Sequence, residues 1–301
     1  MKKILLATTL LAASTGFAAA EVAVSGSARM GIIYDGADYF YSSRVRVKFV
    51  MTGETDGGLA FGAEVRADQI GGNGRVSFIG PGPDGLPGTA DDVVSTAGSS
   101  GTTNGDSTVF ISGAFGKLTM GDVSGAADAL VGQTSGVGYG PNDGLHEIDF
   151  LGATKTAVYY EYSTGALTFG LGAGQVGSDD FSVAAKYSAD AFSVAIGYED
   201  TGTDTQTSLS GSATFGAATV KAKIADTDSK ADTEYSVSLD YAMDALTVTA
   251  FYTAFDADRN HIGLGAAYDL GGGAAIKGGI VRQDTALVDT TFADVGMTFS
   301  F

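Results

Sequence analysis

The sequence predicts an all-β fold, a sixteen-stranded antiparallel transmembrane β-barrel. Three features carry that expectation: apolar residues alternate with polar ones through most of the chain, turn tetrads recur about every 25 to 28 residues, and connections are short at one end of the strands and long at the other. A leader precedes the barrel. Lys2 and Lys3 give a positive start, 4–13 a largely apolar stretch, and Ala18, Ala19 and Ala20 a small-residue cleavage site. That is the pattern of a cleaved export signal over 1–20, leaving 21–301 as one barrel domain. Although 44% of the residues are hydrophobic, nothing after Glu21 approaches the roughly 18 to 20 uninterrupted apolar residues of a membrane helix.

The first strand, 22–34, puts Val22, Val24, Ala28, Met30, Ile32 and Tyr34 on one parity and Ser25, Ser27 and Arg29 on the other. Successive side chains of a strand face opposite ways, so one face is apolar and one polar. The second, 44–52, opposes Val45, Val47, Phe49 and Met51 to Arg44, Arg46 and Lys48; the third, 59–68, opposes Leu59, Phe61, Ala63, Val65 and Ala67 to Glu64, Arg66 and Asp68. Thirteen similar segments follow at 107–113, 116–122, 155–163, 166–174, 181–188, 191–199, 205–214, 217–225, 233–241, 245–253, 260–268, 273–281 and 291–301. In them Lys117, Lys155, Glu161, Lys186, Glu199, Lys221, Lys223, Glu234, Asp240, Lys277 and Asp294 oppose most of the apolar residues, whereas Asp226 and Arg282, at strand ends, do not.

Alternation alone suits a soluble sandwich as well as a membrane barrel. The turns decide. Tyr162-Ser163-Thr164-Gly165, Tyr187-Ser188-Ala189-Asp190, Tyr241-Ala242-Met243-Asp244 and Tyr268-Asp269-Leu270-Gly271 each precede a fresh strand, and Thr214-Phe215-Gly216-Ala217 fills the missing place in the series. The spacing is one hairpin of two strands of about ten residues, the length that crosses a bilayer at a tilt. Short turns at 54–58, 113–116 and the tetrads lie on one side; 35–41, 70–106 and 122–154 are the long loops of the other. The tetrad tyrosines then suit an interfacial girdle, with ordinary sheet residues as the alternative.

Composition removes most other chemistry. With no cysteine there is no disulfide, thiolate metal site or cysteine nucleophile, and two histidines far apart in sequence offer no metal-ligand or dyad spacing. The net charge of −18, two units more acidic once Lys2 and Lys3 are cleaved away, argues against nucleic acid as a partner. Gly271, Gly272 and Gly273 lack the Lys-Ser or Lys-Thr of a phosphate loop, and Glu161 and Asp240 are lone lumen carboxylates without a positioned partner, where a hydrolase needs a nucleophile within reach of a base, so no enzyme is expected.

The chain ends in an alternating strand on a terminal aromatic, Phe301. With 24–31 (Val-Ser-Gly-Ser-Ala-Arg-Met-Gly), 42–46 (Ser-Ser-Arg-Val-Arg), 109–117 (Val-Phe-Ile-Ser-Gly-Ala-Phe-Gly-Lys), 120–122 (Met-Gly-Asp) and 264–273 (Leu-Gly-Ala-Ala-Tyr-Asp-Leu-Gly-Gly-Gly), it resembles the general diffusion porins of alphaproteobacteria, of the Rhodobacter type. The resemblance covers nearly the whole mature chain and is weakest at 70–106. It implies a bacterial outer-membrane location among lipid and lipopolysaccharide, a homotrimer, passive passage of small hydrophilic solutes and ions, and a third long loop folded inward with its acids facing a basic wall. Parity nominates Arg29, Arg44, Arg46, Lys48 and Arg66 for the wall, and the loop offers Asp128, Asp143, Glu147 and Asp149. Opposed charge rows across a narrow opening disfavour apolar solutes, and net acidity against the basic wall leans to weak cation selectivity. The plainer alternative makes the basic residues solvated lumen charges paired with Glu64 and Asp68.

No cofactor is required. Asp84, Asp91 and Asp92, in the glycine- and proline-rich second loop, supply the hard oxygen ligands that calcium takes, but without EF-hand spacing, and a solvated acidic loop is the other reading. In the family resembled this loop reaches over a neighbouring subunit, which implies a trimer contact here. The rival functions are a substrate-selective porin, a non-conducting structural or adhesive barrel, and a secreted soluble sandwich.

Overall fold

A computed structural model describes residues 21–69, 76–80, 93–97, 103–152, 157–256 and 258–301. The export signal 1–20, the calcium candidates Asp84, Asp91 and Asp92, and Lys155 lie outside the described residues. The strands are β1 (Glu21–Tyr34), β2 (Tyr39–Glu54), β3 (Ala60–Gln69), β4 (Val76–Gly80), β5 (Val93–Ala97), β6 (Thr103–Gly113), β7 (Gly116–Gly121), β8 (Ala157–Thr164), β9 (Leu167–Ala173), β10 (Phe181–Ser188), β11 (Phe192–Asp200), β12 (Thr205–Phe215), β13 (Ala218–Thr227), β14 (Glu234–Met243), β15 (Leu246–Asp256), β16 (Arg259–Gly271), β17 (Ala274–Asp284) and β18 (Thr290–Ser300). A six-residue helix, α1 (Ala126–Val131), and a 3-10 turn (Pro141–Gly144) lie between β7 and β8.

Sixteen of the strands close a barrel, each antiparallel to its neighbours, while β4 and β5 pair only with each other. Closure joins β1 to β18 from Ser27↔Ser300 to Tyr34↔Ala293, and the last residue extends the seam: Phe301 N donates to Gly26 O at 2.9 Å. No sheet edge is left unpaired in the barrel, which is what allows strands to cross a bilayer whose core offers no hydrogen bonds.

The packing is inside out, as alternation requires. On β14, Tyr235, Val237, Leu239 and Tyr241 are exposed on the outer face while Glu234, Ser236 and Ser238 are buried on the inner one. The tetrad tyrosines 162, 187, 241 and 268, with Phe215, all point outward at the short-turn end. A second outward aromatic band, unremarked in the sequence, lies towards the opposite rim, with Phe181 against Tyr198 at 5.9 Å and Tyr235 against Tyr252 at 6.1 Å between ring centroids. Two belts of amphipathic rings frame a lipid-facing zone.

Four of the five tetrads place a residue in the left-handed region, and the tetrad closed by Asp190 does not. Gly165, Gly216, Asp244 and Gly271 adopt φ of 57°, 61°, 51° and 79°, the left-handed conformation that only glycine reaches freely and aspartate tolerates.

Three expectations change in detail. The first long loop, read at 35–41, is a tight turn: the Asp35 carboxylate accepts from Ala37 N and Asp38 N, Gly36 turns the chain at φ 102°, and Tyr34 pairs with Tyr39, so β2 begins five residues earlier than expected. The 70–106 loop contains the β4–β5 hairpin. The 122–154 loop carries a helix, which its polar-apolar pattern did not announce.

Candidate pore constriction

The segment after β7 does not leave the barrel; it lies against the inner wall. Its first part is α1, whose Ala126, Ala127, Leu130 and Val131 are buried against β9, β10, β11 and β12. Gly125 precedes it without a capping side chain, and the wall supplies the missing partner: Ala126 N donates to Ser182 Oγ at 2.7 Å. Glycines on the wall make room. A methyl group on Gly197 would stand 2.7 Å from Ala127 Cβ, and one on Gly170 would stand 3.1 Å from Leu130 Cδ1.

From α1 the chain crosses to the far side. Val137 sits on Gly265 and Gly279, which face each other across β16 and β17, and the Tyr139 ring stands over Gly31 and Gly296, which face each other across β1 and β18. The Asp294 carboxylate accepts from Tyr139 N and Gly140 N at 3.2 and 3.3 Å, and Arg29 donates to Tyr139 O at 3.3 Å.

The return limb is pinned to β11–β16. Lys223 Nζ, buried on β13, donates to Ile148 O at 2.7 Å and to Gln133 Oε1 at 3.1 Å, and lies 3.4 Å from the centre of the Phe150 ring. Gln133 also ties the two limbs together, its amide donating to Ile148 O and accepting from Ile148 N. Leu151 N donates to Glu199 Oε2 at 3.0 Å, Gln206 Nε2 to Asp149 O at 3.0 Å, and Thr253 Oγ1 to His146 O at 2.9 Å. The His261 ring nitrogen Nδ1 lies 2.7 Å from Leu145 O. Buried polar groups need partners, and in each of these ties wall and loop supply one to the other.

The four loop acids share one neighbourhood. Asp143, Glu147 and Asp149 are exposed and Asp128 is half-buried. Glu147 keeps contact with solvent, yet partial desolvation by the loop around it first, and then the nearby Asp143, Asp149 and Asp128 carboxylates, push its carboxyl above its ordinary range. Burial also holds the His146 imidazole below its usual value, partly offset by Asp143.

The five basic candidates gather on β1, β2 and β3, where Arg29 faces Arg44, Arg46 faces Asp68 and Lys48 faces Arg66. Arg46 binds Asp68 through Nε and Nη2, both at 2.9 Å, Arg66 Nε shares Asp68 at 3.1 Å, and Lys48 Nζ meets Glu64 at 2.6 Å. Pairing with Glu64 and Asp68 therefore occurs, and it leaves five cations against two carboxylates. In the strand order, β12 is the eighth strand from β2 in either direction. Loop segments carrying Asp128 and Asp149 are fixed to β9–β13, half a circumference from the basic cluster, whereas the 3-10 turn that carries Asp143 lies against β17 and β18, beside β1.

Two readings of single residues change. Glu161 and Asp240 have hydroxyl partners: Tyr159 donates to Glu161 at 2.9 Å, and Ser135 and Thr249 donate to Asp240, each at 2.6 Å. The anchors Ser182, Lys223, Ser236, Ser238, Thr253, His261 and Asp294 had no assigned role in the sequence. A signal exists: on β9–β18 the inner parity is rich in Gly, Ser and Thr, whereas on β2 and β3 it is charged. Small residues mark the wall that another segment covers.

Comparison with known proteins agrees with this architecture. A family model described as Gram-negative porin matches residues 7–286. The chain is 34% identical to a porin of Rhodobacter capsulatus, over 93% of this chain and all of that protein. Among solved structures, a porin refined at 1.8 Å superposes with a TM-score of 0.69 at 34% identity. A mutant of the Rh. blastica porin does so with 0.74 at 24% identity, a likeness of fold; each match covers 93% of this chain and all of the other. With the family model matching most of its length and a closed sixteen-stranded barrel, the chain belongs to the Gram-negative porins, channel proteins of the outer membrane.

Proposed function

We propose that this general diffusion porin passes small hydrophilic solutes and ions through a lumen narrowed by the 122–152 loop, with Asp128, Asp143, Glu147 and Asp149 on one side and Arg29, Arg44, Arg46, Lys48 and Arg66 on the other. A barrel of sixteen strands is too wide for its own side chains to fill, so it stays open unless a segment enters it. One observation carries the reading: the loop segments that bear Asp128 and Asp149 are fixed to β9–β13, half a circumference from the basic cluster. Fixed charges facing each other across a narrow aqueous gap orient water and dipolar solutes, and make entry of apolar ones unfavourable. The acidic total leans the pore to weak cation selectivity.

The same proposal includes export through the 1–20 signal, assembly as a homotrimer, and lipopolysaccharide around the outer aromatic band. No step of it needs a reaction or a cofactor. Single-channel recording of the refolded mature chain in a planar bilayer tests it, with large ohmic steps that close in thirds as the expected result. Absence of conductance from a folded barrel would instead favour the structural or adhesive reading.

A further inference from the structure

Two buried imidazoles sit where the return limb of the loop meets β14, β15 and β16. The Leu145 carbonyl lies 2.7 Å from His261 Nδ1, and the next carbonyl along, that of His146, accepts from Thr253 Oγ1 at 2.9 Å and from Ser236 Oγ at 3.2 Å. A carbonyl only accepts, so the neutral His261 ring carries its proton on Nδ1 and leaves Nε2 bare. That Nε2 is shielded from solvent and has no hydrogen-bond partner among the described residues, and the same holds for Nδ1 of His146. Aromatic edges enclose both rings, Phe255 at 4.7 Å from His261 and Phe251 at 5.8 Å from His146 between ring centroids. Leu145 itself packs on Val137, Phe251 and Val281, so the limb rests on an apolar patch closed by two neutral imidazoles.

We propose that His146 and His261 form an acid-operated latch: neutral, they hold the return limb against the wall, and charged, they release it into the lumen. A second proton on His261 must go to Nε2, where the buried N–H finds no acceptor, so an imidazolium has to leave the site or draw water into it. The charged groups nearby offer little compensation. Asp284 on β17 is bound by Arg282 at 2.5 Å, and Arg259 on β16, 3.6 Å from Asp256 of β15, brings a like charge towards His261. His146 faces Asp143 in the loop and Lys221 on β13, which are opposite in sign, and burial outweighs both in holding its imidazole below the usual value. The neutral His146 ring therefore stabilises the seated limb fully above the ordinary imidazole range, and this contribution is lost as pH falls through the folded value. The wall lies behind the limb, so a freed limb moves inward and narrows the gap. The latch rests on the channel reading given above and adds regulation by acid to it. Glu147 acts in the opposite sense, because its raised carboxyl favours the seated loop in acid, and it has to be separated from the histidines in any test.

Single-channel recording in a planar bilayer at about pH 7.5 and about pH 4.5 tests the proposal, with the refolded mature chain and its Glu147→Gln variant side by side. In both, acid is expected to lower the open level and make it flicker, and more so in Glu147→Gln, where the opposing carboxyl is gone. His261→Gln keeps a donor for the Leu145 carbonyl without a titrating ring, and in the Glu147→Gln background it should lose most of the acid response; adding His146→Gln should remove the rest. An acid response that survives intact in that triple variant would overturn the latch and leave the porin reading in place, as would a conductance that stays steady across the range in Glu147→Gln. Hydrogen exchange of the 145–151 amides in detergent, corrected for the intrinsic effect of pH, reads the latch without ion flow. Exchange there should be about tenfold faster in acid in Glu147→Gln and equal at the two pH values once both histidines are replaced. Acid-dependent exchange that needs the histidines, in a barrel that does not conduct, would therefore retain the latch and remove the channel.

Discussion

Lys223 shows how much of the lumen's shape depends on single side chains. Its ammonium is buried, and carbonyl, amide and aromatic partners from both limbs of the loop surround it. Replacing it with methionine removes charge-assisted bonds that contribute about 2 kcal/mol to seating the return limb. The expected outcome is a barrel that still folds but conducts more, with a broader distribution of single-channel levels. Glu147 gives the pH response. Its carboxyl is raised above the ordinary range, so the folded loop holds its proton more tightly than the unfolded chain does. The seated loop is then most stable below the unfolded value, and this stabilisation is lost as pH rises through the folded one. The acidic face also loses its first charge at a higher pH than an ordinary carboxylate would. Reversal potentials across a salt gradient should show cation preference falling at mildly acidic pH, and Glu147→Gln should remove that step.

At the scale of elements, turns and seats follow from backbone geometry. Asp244 is the described non-glycine residue at positive φ, so Asp244→Val should destabilise the β14–β15 hairpin by about 1 to 2 kcal/mol while Asp244→Gly is neutral or stabilising, read from denaturant midpoints. Gly265 gives the loop its seat. A larger side chain there meets Val137 and the Gly278 carbonyl of β17, so Gly265→Leu should displace the loop and strain the β16–β17 ladder at a cost of about 1 to 3 kcal/mol and change conductance. These elements were legible in sequence to different degrees. Strict alternation and the tetrads located all sixteen barrel strands, because a period of two and a required left-handed residue are local properties. The start of β2 was missed, since Asp35 and Gly36 make a turn through side-chain bonds that the alternating Tyr39, Phe40 and Tyr41 do not reveal. Helix α1 was missed for another reason: six residues with no side-chain cap form a helix only because the wall covers them.

For the whole molecule, sequence parity gave the two faces of the sheet but not the path of the loop between them. The basic cluster could be assembled from neighbouring strands, because Arg29, Arg44, Arg46, Lys48 and Arg66 share a parity on β1–β3. Placing the acids required knowing which wall the loop touches, and that depends on pairs 48 to 155 residues apart, such as Leu151 with Glu199 and Asp294 with Tyr139. The loop and wall thus fit as one layer, and the proposal that this layer sets the pore can be tested directly. The chain has no cysteine, and Thr134 Oγ1 lies 2.7 Å from Ser236 Oγ, so Thr134→Cys with Ser236→Cys places the only two thiols across the loop and the wall. Single-channel conductance of this variant should be the same oxidised and reduced, with the disulfide formed readily, because the bond fixes the loop where it already sits. Failure of the thiols to join in a folded barrel, or a conductance that changes when they do, would contradict the account.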